Sequence, residues 1–163
     1  MSSQYELTNE LRTITDKPVT NALTPAEMLD ALQAAGCRIT TQRLAIINHL
    51  ANRTDHPSAR SIYDALVARE SELSLATVYN TLATLADNGL VLELDYDGAE
   101  NRYDTNTRPH VNLHCTTCGT IIDVPVEPPV SVDEILEAEG FEATDCRMEY
   151  RGRCAQCRAN GRT

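Results

Sequence analysis

The chain has 163 residues and a mass of 18.0 kDa, enough for one ordinary domain or two small ones. It is 42% hydrophobic and 23% charged, a globular composition, and no apolar run approaches the ~20 residues of a membrane span. The formal net charge of −10 argues, taken alone, against a nucleic-acid partner, because phosphate contacts normally require a basic surface.

Residues 1–23 are polar and weakly periodic and read as a flexible tail or a short marginal helix. They lack the charged start and apolar middle of a secretory signal, so a cytoplasmic location is expected. "TPAEMLDALQAAG" (24–36) reads as a helix opened by Thr24 as N-cap, Pro25 and a capping-box Glu27, and closed by Gly36. "TTQRLAIINHLANR" (40–53) carries a helical stripe of Leu44, Ile47 and Leu50, and "SARSIYDALVARE" (58–70) one of Ile62, Leu66 and Val67. Between Cys37 and Tyr63 the charge reverses locally, with Arg38, Arg43, Arg53 and Arg60 against Asp55 alone. "SLATVYNTLATLADNG" (74–89) is a further helix, and "LVLELDYDGAENRYD" reads as two strands around a "DYDG" turn. Short helices followed by a hairpin are the outline of a winged helix-turn-helix. "TNTRPH" is a candidate linker. Beyond it come strands "HVNLHC" and "TIIDVPV", a helix "SVDEILEAEG" and a strand "ATDCRMEYRG".

The fourth helix has no charge from Leu73 to Ala86. Leu75, Val78, Leu82 and Leu85 form its apolar face; Ala76, Thr77, Asn80, Ala83 and Thr84 form the opposite one, flanked by Tyr79. A helix entering a DNA groove must not present carboxylates to phosphates, and small or hydroxyl-bearing residues let it approach base edges. The competing reading is a helix buried on both faces. The arginine cluster favours DNA, with Thr40, Thr41, Gln42 and Arg43 at a helix N-terminus suited to a phosphate. The expected DNA-contacting residues are Arg38, Thr41, Arg43, Thr77, Tyr79 and Asn80.

Four of the six cysteines form two tight pairs, Cys115/Cys118 and Cys154/Cys157. In a cytosolic chain such pairs signal a closed tetrahedral zinc site, which stabilises a fold rather than catalysing. Cys37 and Cys146 read as small core residues. On a strand "HVNLHC", His110, Asn112 and His114 share one face and Val111, Leu113 and Cys115 the other. Cys115 therefore turns away from His110 and Asn112, and two metal sites are expected instead of one. The second, with nitrogen and oxygen donors, suits Fe(II), Mn(II) or Zn(II).

Together these segments resemble the ferric uptake regulator family of metal-dependent repressors. "GCRITTQRLAIINHL", "DHPSARSIYDAL", "SLATVYNTLATLADNGLV", "NRYD", "H…CTTCG" and "GRCAQC" are similar to that family's motifs in order and spacing, from about Leu29 to Cys157. The resemblance implies an α+β protein: a winged helix-turn-helix DNA-binding domain (24–104), then a small α/β dimerisation and metal-binding domain (105–163) holding zinc on Cys115, Cys118, Cys154 and Cys157. It also implies a homodimer on a palindromic operator in double-stranded DNA. Family regulatory ligands fall on His56, Asp104, His110, position 112 and Asp123. Position 112 is Asn112 where histidine is more usual, with His114 two residues away as a substitute. An acid at 123 that is Asp rather than Glu is similar to the peroxide-sensing branch, with Fe(II) or Mn(II) as regulatory metal. The alternatives are an iron, manganese or zinc uptake regulator without peroxide chemistry, and a zinc-thiolate redox switch. The wing "ELDYDGAE" is acidic, so Arg102 is the remaining candidate there for a minor-groove contact. No nucleophile–base constellation or phosphate-binding glycine loop points to an enzyme.

Overall fold

A computed structural model describes residues 23–51, 53–70, 72–96, 100–124, 133–142 and 147–161. The expected tail (1–22), Asp97 and Gly98 of the expected "DYDG" turn, and Cys146 lie outside the described residues. The chain divides into two compact units, the first ending at Thr107 and the second beginning at Arg108.

The first unit contains α1 (Pro25–Ala34), α2 (Thr41–Leu50), α3 (Ala59–Leu66), α4 (Leu75–Asp87), β1 (Leu92–Leu94) and β2 (Arg102–Asp104). Each helix starts at a hydroxyl cap: Thr24, Thr40, Ser58 and Ser74 accept the backbone N–H of the residue three positions on. At α1 the capping box is complete, with the Thr24 N–H donating to Glu27 Oε2 at 2.8 Å. At the end of α4, Gly89 adopts φ 67°, letting the Leu90 N–H reach the Leu85 carbonyl at 2.9 Å and fold the buried Leu90 back on the core.

The core joins all four helices through Met28, Leu32, Ile46, Ile47, Leu50, Ile62, Val78, Leu82 and Leu85, all fully buried, with Tyr103 of β2 packed among them. The stripe expected on α2 is rotated. At about 100° per residue, burial of Ile46, Ile47 and Leu50 turns Leu44 towards solvent, where it is 37% exposed. The helix also stops at Leu50, short of Arg53, and the chain turns there towards His56. β1 and β2 are antiparallel, with Glu93 opposite Tyr103.

The second unit contains β3 (Val111–Cys115), β4 (Ile121–Val124), α5 (Asp133–Ala138), β5 (Met148–Gly152) and α6 (Ala155–Ala159). The sheet order is β4-β3-β5, antiparallel between β3 and β4 and parallel between β3 and β5. A parallel pair requires a crossover, and α5 lies within it. Burial along β3 does not alternate strictly: Val111, Asn112 and Cys115 are buried, His114 is half-buried and Leu113 is exposed. Leu113 sits opposite Ile122 and Tyr150, and these three side chains give one sheet face an exposed apolar row (39%, 47% and 59% exposed).

Candidate metal centres and nucleic-acid face

The first "C-x-x-C" sits on the turn from β3 to β4 and the second at the start of α6. Gly119, at φ 70°, lets the first turn close through its N–H to the Cys115 carbonyl at 2.8 Å. The Thr116 N–H then reaches the Gly152 carbonyl at 2.8 Å, stitching the knuckle to the end of β5. The four sulfurs of Cys115, Cys118, Cys154 and Cys157 lie within 4.8 Å of one another. A tetrahedron of sulfurs about 2.3 Å from zinc has edges of about 3.8 Å, and Cys118 Sγ is 3.8 Å from Cys154 Sγ, far beyond a disulfide. The backbone N–H of Cys154 points at Cys115 Sγ at 3.2 Å and leads the effects that lower the Cys115 thiol to about 6. Burial and the neighbouring cysteines push Cys157 up to about 12. Four crowded thiols cannot all ionise without a cation, and a divalent soft cation is the group this set fits.

The nitrogen and oxygen donors fall in two pairs, one in each unit. In the first, His56 Nε2 lies 3.5 Å from Asp104 Oδ2, both side chains almost wholly buried. Asp104 is oriented by the Asn106 N–H, which donates to its Oδ1 at 2.7 Å. His56 has φ 48°, the left-handed region, and is the one non-glycine residue with positive φ among the described residues. In the second unit, His110 Nε2 lies 3.7 Å from Asp123 Oδ1. His110 Nδ1 is 2.7 Å from the Arg108 carbonyl, which can only accept. The neutral ring therefore carries its proton on Nδ1 and its lone pair on Nε2, the tautomer of an Nε2 metal ligand. Donors about 2.1 Å from a shared cation stand about 3.0–3.5 Å apart, close to both separations and longer than an ordinary hydrogen bond.

Asn112 pairs in register with Asp123 on one side and Glu149 on the other. Its Oδ1 is buried and has no hydrogen-bond partner among the described residues. A buried carbonyl in that condition fits a neutral oxygen ligand. His114, the substitute suggested by the sequence, has its Nδ1 4.0 Å from Glu149 Oε1, and Glu149 is also held by Arg147 at 2.7 Å.

The uncharged face of α4 is open. Ala76, Tyr79, Asn80 and Ala83 are exposed and Thr77 and Thr84 half-buried, whereas Val78, Thr81, Leu82 and Leu85 are buried, so the helix is not covered on both faces. The arginine cluster is less available than the sequence suggests. Arg43 donates to the Arg38 carbonyl at 2.6 Å and to Thr84 Oγ1 at 3.3 Å, tying α2 to α4. Arg53 is paired with Asp55, which raises the guanidinium pKa and lowers that of the carboxyl. Arg38, Thr41 and Arg60 remain exposed. Arg102, considered for a groove contact, donates from Nε to the His56 carbonyl at 2.5 Å. Nothing local in "NRYD" signals that tertiary tie.

A sequence profile of the "Ferric uptake regulator family" matches residues 34–151. The "Peroxide-responsive repressor PerR" of Staphylococcus epidermidis is 38% identical over 136 residues, covering 83% of this chain and 91% of the relative. The "Peroxide operon regulator" of Bacillus subtilis is 39% identical over 132 residues, covering 80% and 91% respectively. Among solved structures, the ferric uptake regulator of Pseudomonas aeruginosa with manganese superposes with a TM-score of 0.61 at 26% identity, covering 78% of this chain and 98% of that one.

Proposed function

From the premise that this chain belongs to the ferric uptake regulator family, we propose that it is a metal-dependent dimeric repressor that senses peroxide. The observation that carries the reading is the pairing of His56 with Asp104 in one unit and of His110 with Asp123 in the other, each at a spacing suited to a shared cation.

In this reading the first unit is a winged helix-turn-helix, with α4 as the helix that reads bases and the β1–β2 hairpin as the wing. Thr77, Tyr79 and Asn80 face the groove, and Arg38, Thr41 and Arg43 lie near the backbone. The engagement of Arg43 within its own unit makes it a support for α4 first. The second unit holds structural zinc on Cys115, Cys118, Cys154 and Cys157. It also pairs two copies of the chain, which accounts for the exposed row Leu113, Ile122 and Tyr150.

One regulatory cation per subunit takes His56 and Asp104 from one unit and His110, Asn112 and Asp123 from the other. Fe(II) or Mn(II) suits this hard, mixed donor set better than Zn(II). Occupancy fixes the separation of the two reading helices, which must match half-sites one turn (~34 Å) apart, so metal and DNA binding are reciprocally coupled. Fe(II) held by these residues would activate hydrogen peroxide, and His56 and His110 are the side chains that would be oxidised beside it, imidazole and peroxide giving the 2-oxo-imidazole and water, which would weaken their hold on the cation. The carboxylates Asp104 and Asp123 neutralise the cation's charge, and His110 keeps its Nε2 lone pair available through the Arg108 carbonyl.

The test is Mn(II) titration of zinc-loaded protein against a palindromic operator at several salt concentrations. Metal-dependent binding is expected, and tight binding independent of added metal would refute the reading. Mass spectrometry of the Fe(II) form after peroxide should show +16 Da on His56 or His110. Its absence, with metal response intact, would favour a metal-uptake regulator. Primary, reversible oxidation of the four cysteines with zinc release would favour the thiol switch.

A further inference from the structure

The His56 loop is held by the hairpin. The Tyr103 N–H donates to the Pro57 carbonyl at 3.0 Å, and Ser58 forms an isolated bridge with Arg102, so 55–58 lies along the edge of β2. Arg102 then folds its guanidinium back over that loop. Nε donates to the His56 carbonyl at 2.5 Å and one terminal nitrogen lies 3.5 Å from the Asp55 carbonyl. The other side of the turn is fixed by Thr105 Oγ1, which donates to the Arg53 carbonyl at 3.2 Å, and by Arg53 paired with Asp55.

A histidine in the left-handed region is disfavoured by its own Cβ, so the conformation persists only where outside contacts impose it. At His56 the residue's carbonyl is the atom the turn redirects, and Arg102 is the charged donor that receives it. The same turn aims the His56 imidazole at Asp104, two residues after Arg102 on β2.

We infer that Arg102 is a positioning residue: it holds His56 in its strained backbone conformation and so presets the imidazole for the regulatory cation, linking the wing to the metal centre. The inference rests on the reading of His56 as a ligand. It gives Arg102 a role inside the protein, where the sequence suggests a DNA contact, and makes wing and ligand loop one mechanical piece.

The test compares Arg102→Ala and Arg102→Lys with His56→Ala, all zinc-loaded. Mn(II) affinity is measured by calorimetric titration, and amide exchange at Asp55, His56 and Ser58 in the Mn-free protein. Loss of an outer-shell support weakens metal binding about 10–100-fold, so Arg102→Ala should fall in that range with faster exchange confined to the loop. Arg102→Lys keeps the charge without the planar fork and should show a smaller loss in the same direction; it serves if the alanine variant does not fold. Saturating Mn(II) should restore operator binding by either Arg102 variant. The inference is overturned if His56→Ala loses Mn(II) affinity while both Arg102 variants stay within threefold of the parent, or if exchange in the loop is unchanged. An operator defect that persists at saturating Mn(II) would also overturn it, making Arg102 a phosphate contact. Unchanged Mn(II) affinity in His56→Ala would remove the ligand reading, and this inference with it.

Discussion

Asn112→Leu should stabilise the Mn-free protein while weakening its metal binding. Asn112 is 2% exposed, and its Oδ1 has no hydrogen-bond partner among the described residues. A buried carbonyl left in that state costs about 1–3 kcal/mol, and a near-isosteric apolar side chain removes the cost. At about 2–4 °C per kcal/mol for a chain of this size, the melting temperature of the zinc-loaded, Mn-free protein should rise by roughly 2–12 °C. If the same oxygen is a ligand, its loss should weaken Mn(II) binding by at least about tenfold, comparable to or exceeding the loss of an outer-shell support. Differential scanning calorimetry with and without Mn(II) reads both quantities. The stabilisation by saturating Mn(II) should shrink in the variant. A lowered melting temperature without metal would mean that the oxygen is satisfied as it stands. An unchanged Mn(II) affinity would mean that Asn112 is not a ligand, and either result refutes the reasoning.

Cys118→Ser should release zinc and unfold the second unit, because the four sulfurs tie the turn between β3 and β4 to the start of α6 while the sheet leaves Leu113, Ile122 and Tyr150 exposed; zinc analysis with far-ultraviolet circular dichroism checks this, and a folded zinc-free sheet would contradict it. Asn80→Asp places a carboxylate on the open face of α4. It should weaken operator binding by at least about fivefold, since one lost base contact costs about 1–3 kcal/mol, with the melting temperature unchanged; equal binding in an electrophoretic assay would remove α4 from the interface. The start of α1 should be acid-labile. The Thr24 hydroxyl and N–H hold the Glu27 carboxyl below its ordinary 4.5, so the box contributes above that value and loses its contribution as pH falls through the lower folded value. Protection of the Thr24 amide, taken relative to its intrinsic exchange rate at each pH, should therefore fall on acidification in the parent and not in Glu27→Gln.

Much of this was legible in the sequence where chemistry is local. Thr24 with Pro25 and Glu27, Ser74 before an uncharged run and two "C-x-x-C" pairs each carry their cause within a few residues, and the structure has the capped helices and the sulfur cluster. Period two on β3 likewise puts Asn112 and Cys115 on opposite faces, and Cys115 joins the sulfur cluster, although both residues are buried. What escaped depends on tertiary partners. The face that α2 buries is decided by α3 and α4, which select Ile46 over Leu44. The engagement of Arg43 with Thr84 spans two helices, and that of Arg102 with His56 joins a hairpin to a loop 46 residues earlier. The positive φ of His56 leaves no mark in "DHPS", where glycine would be the usual sign.

Whether a single cation is shared decides between one bridged site and two separate ones. Calorimetric titration of Mn(II) into zinc-loaded parent, His56→Ala and Asp123→Ala proteins measures this, since the two substitutions remove one donor from each unit. The parent should bind one Mn(II) per subunit, and each variant should lose that same event. Tight Mn(II) binding retained by either variant would mean that the two pairs serve separate ions, and would contradict the proposal that metal joins the two units.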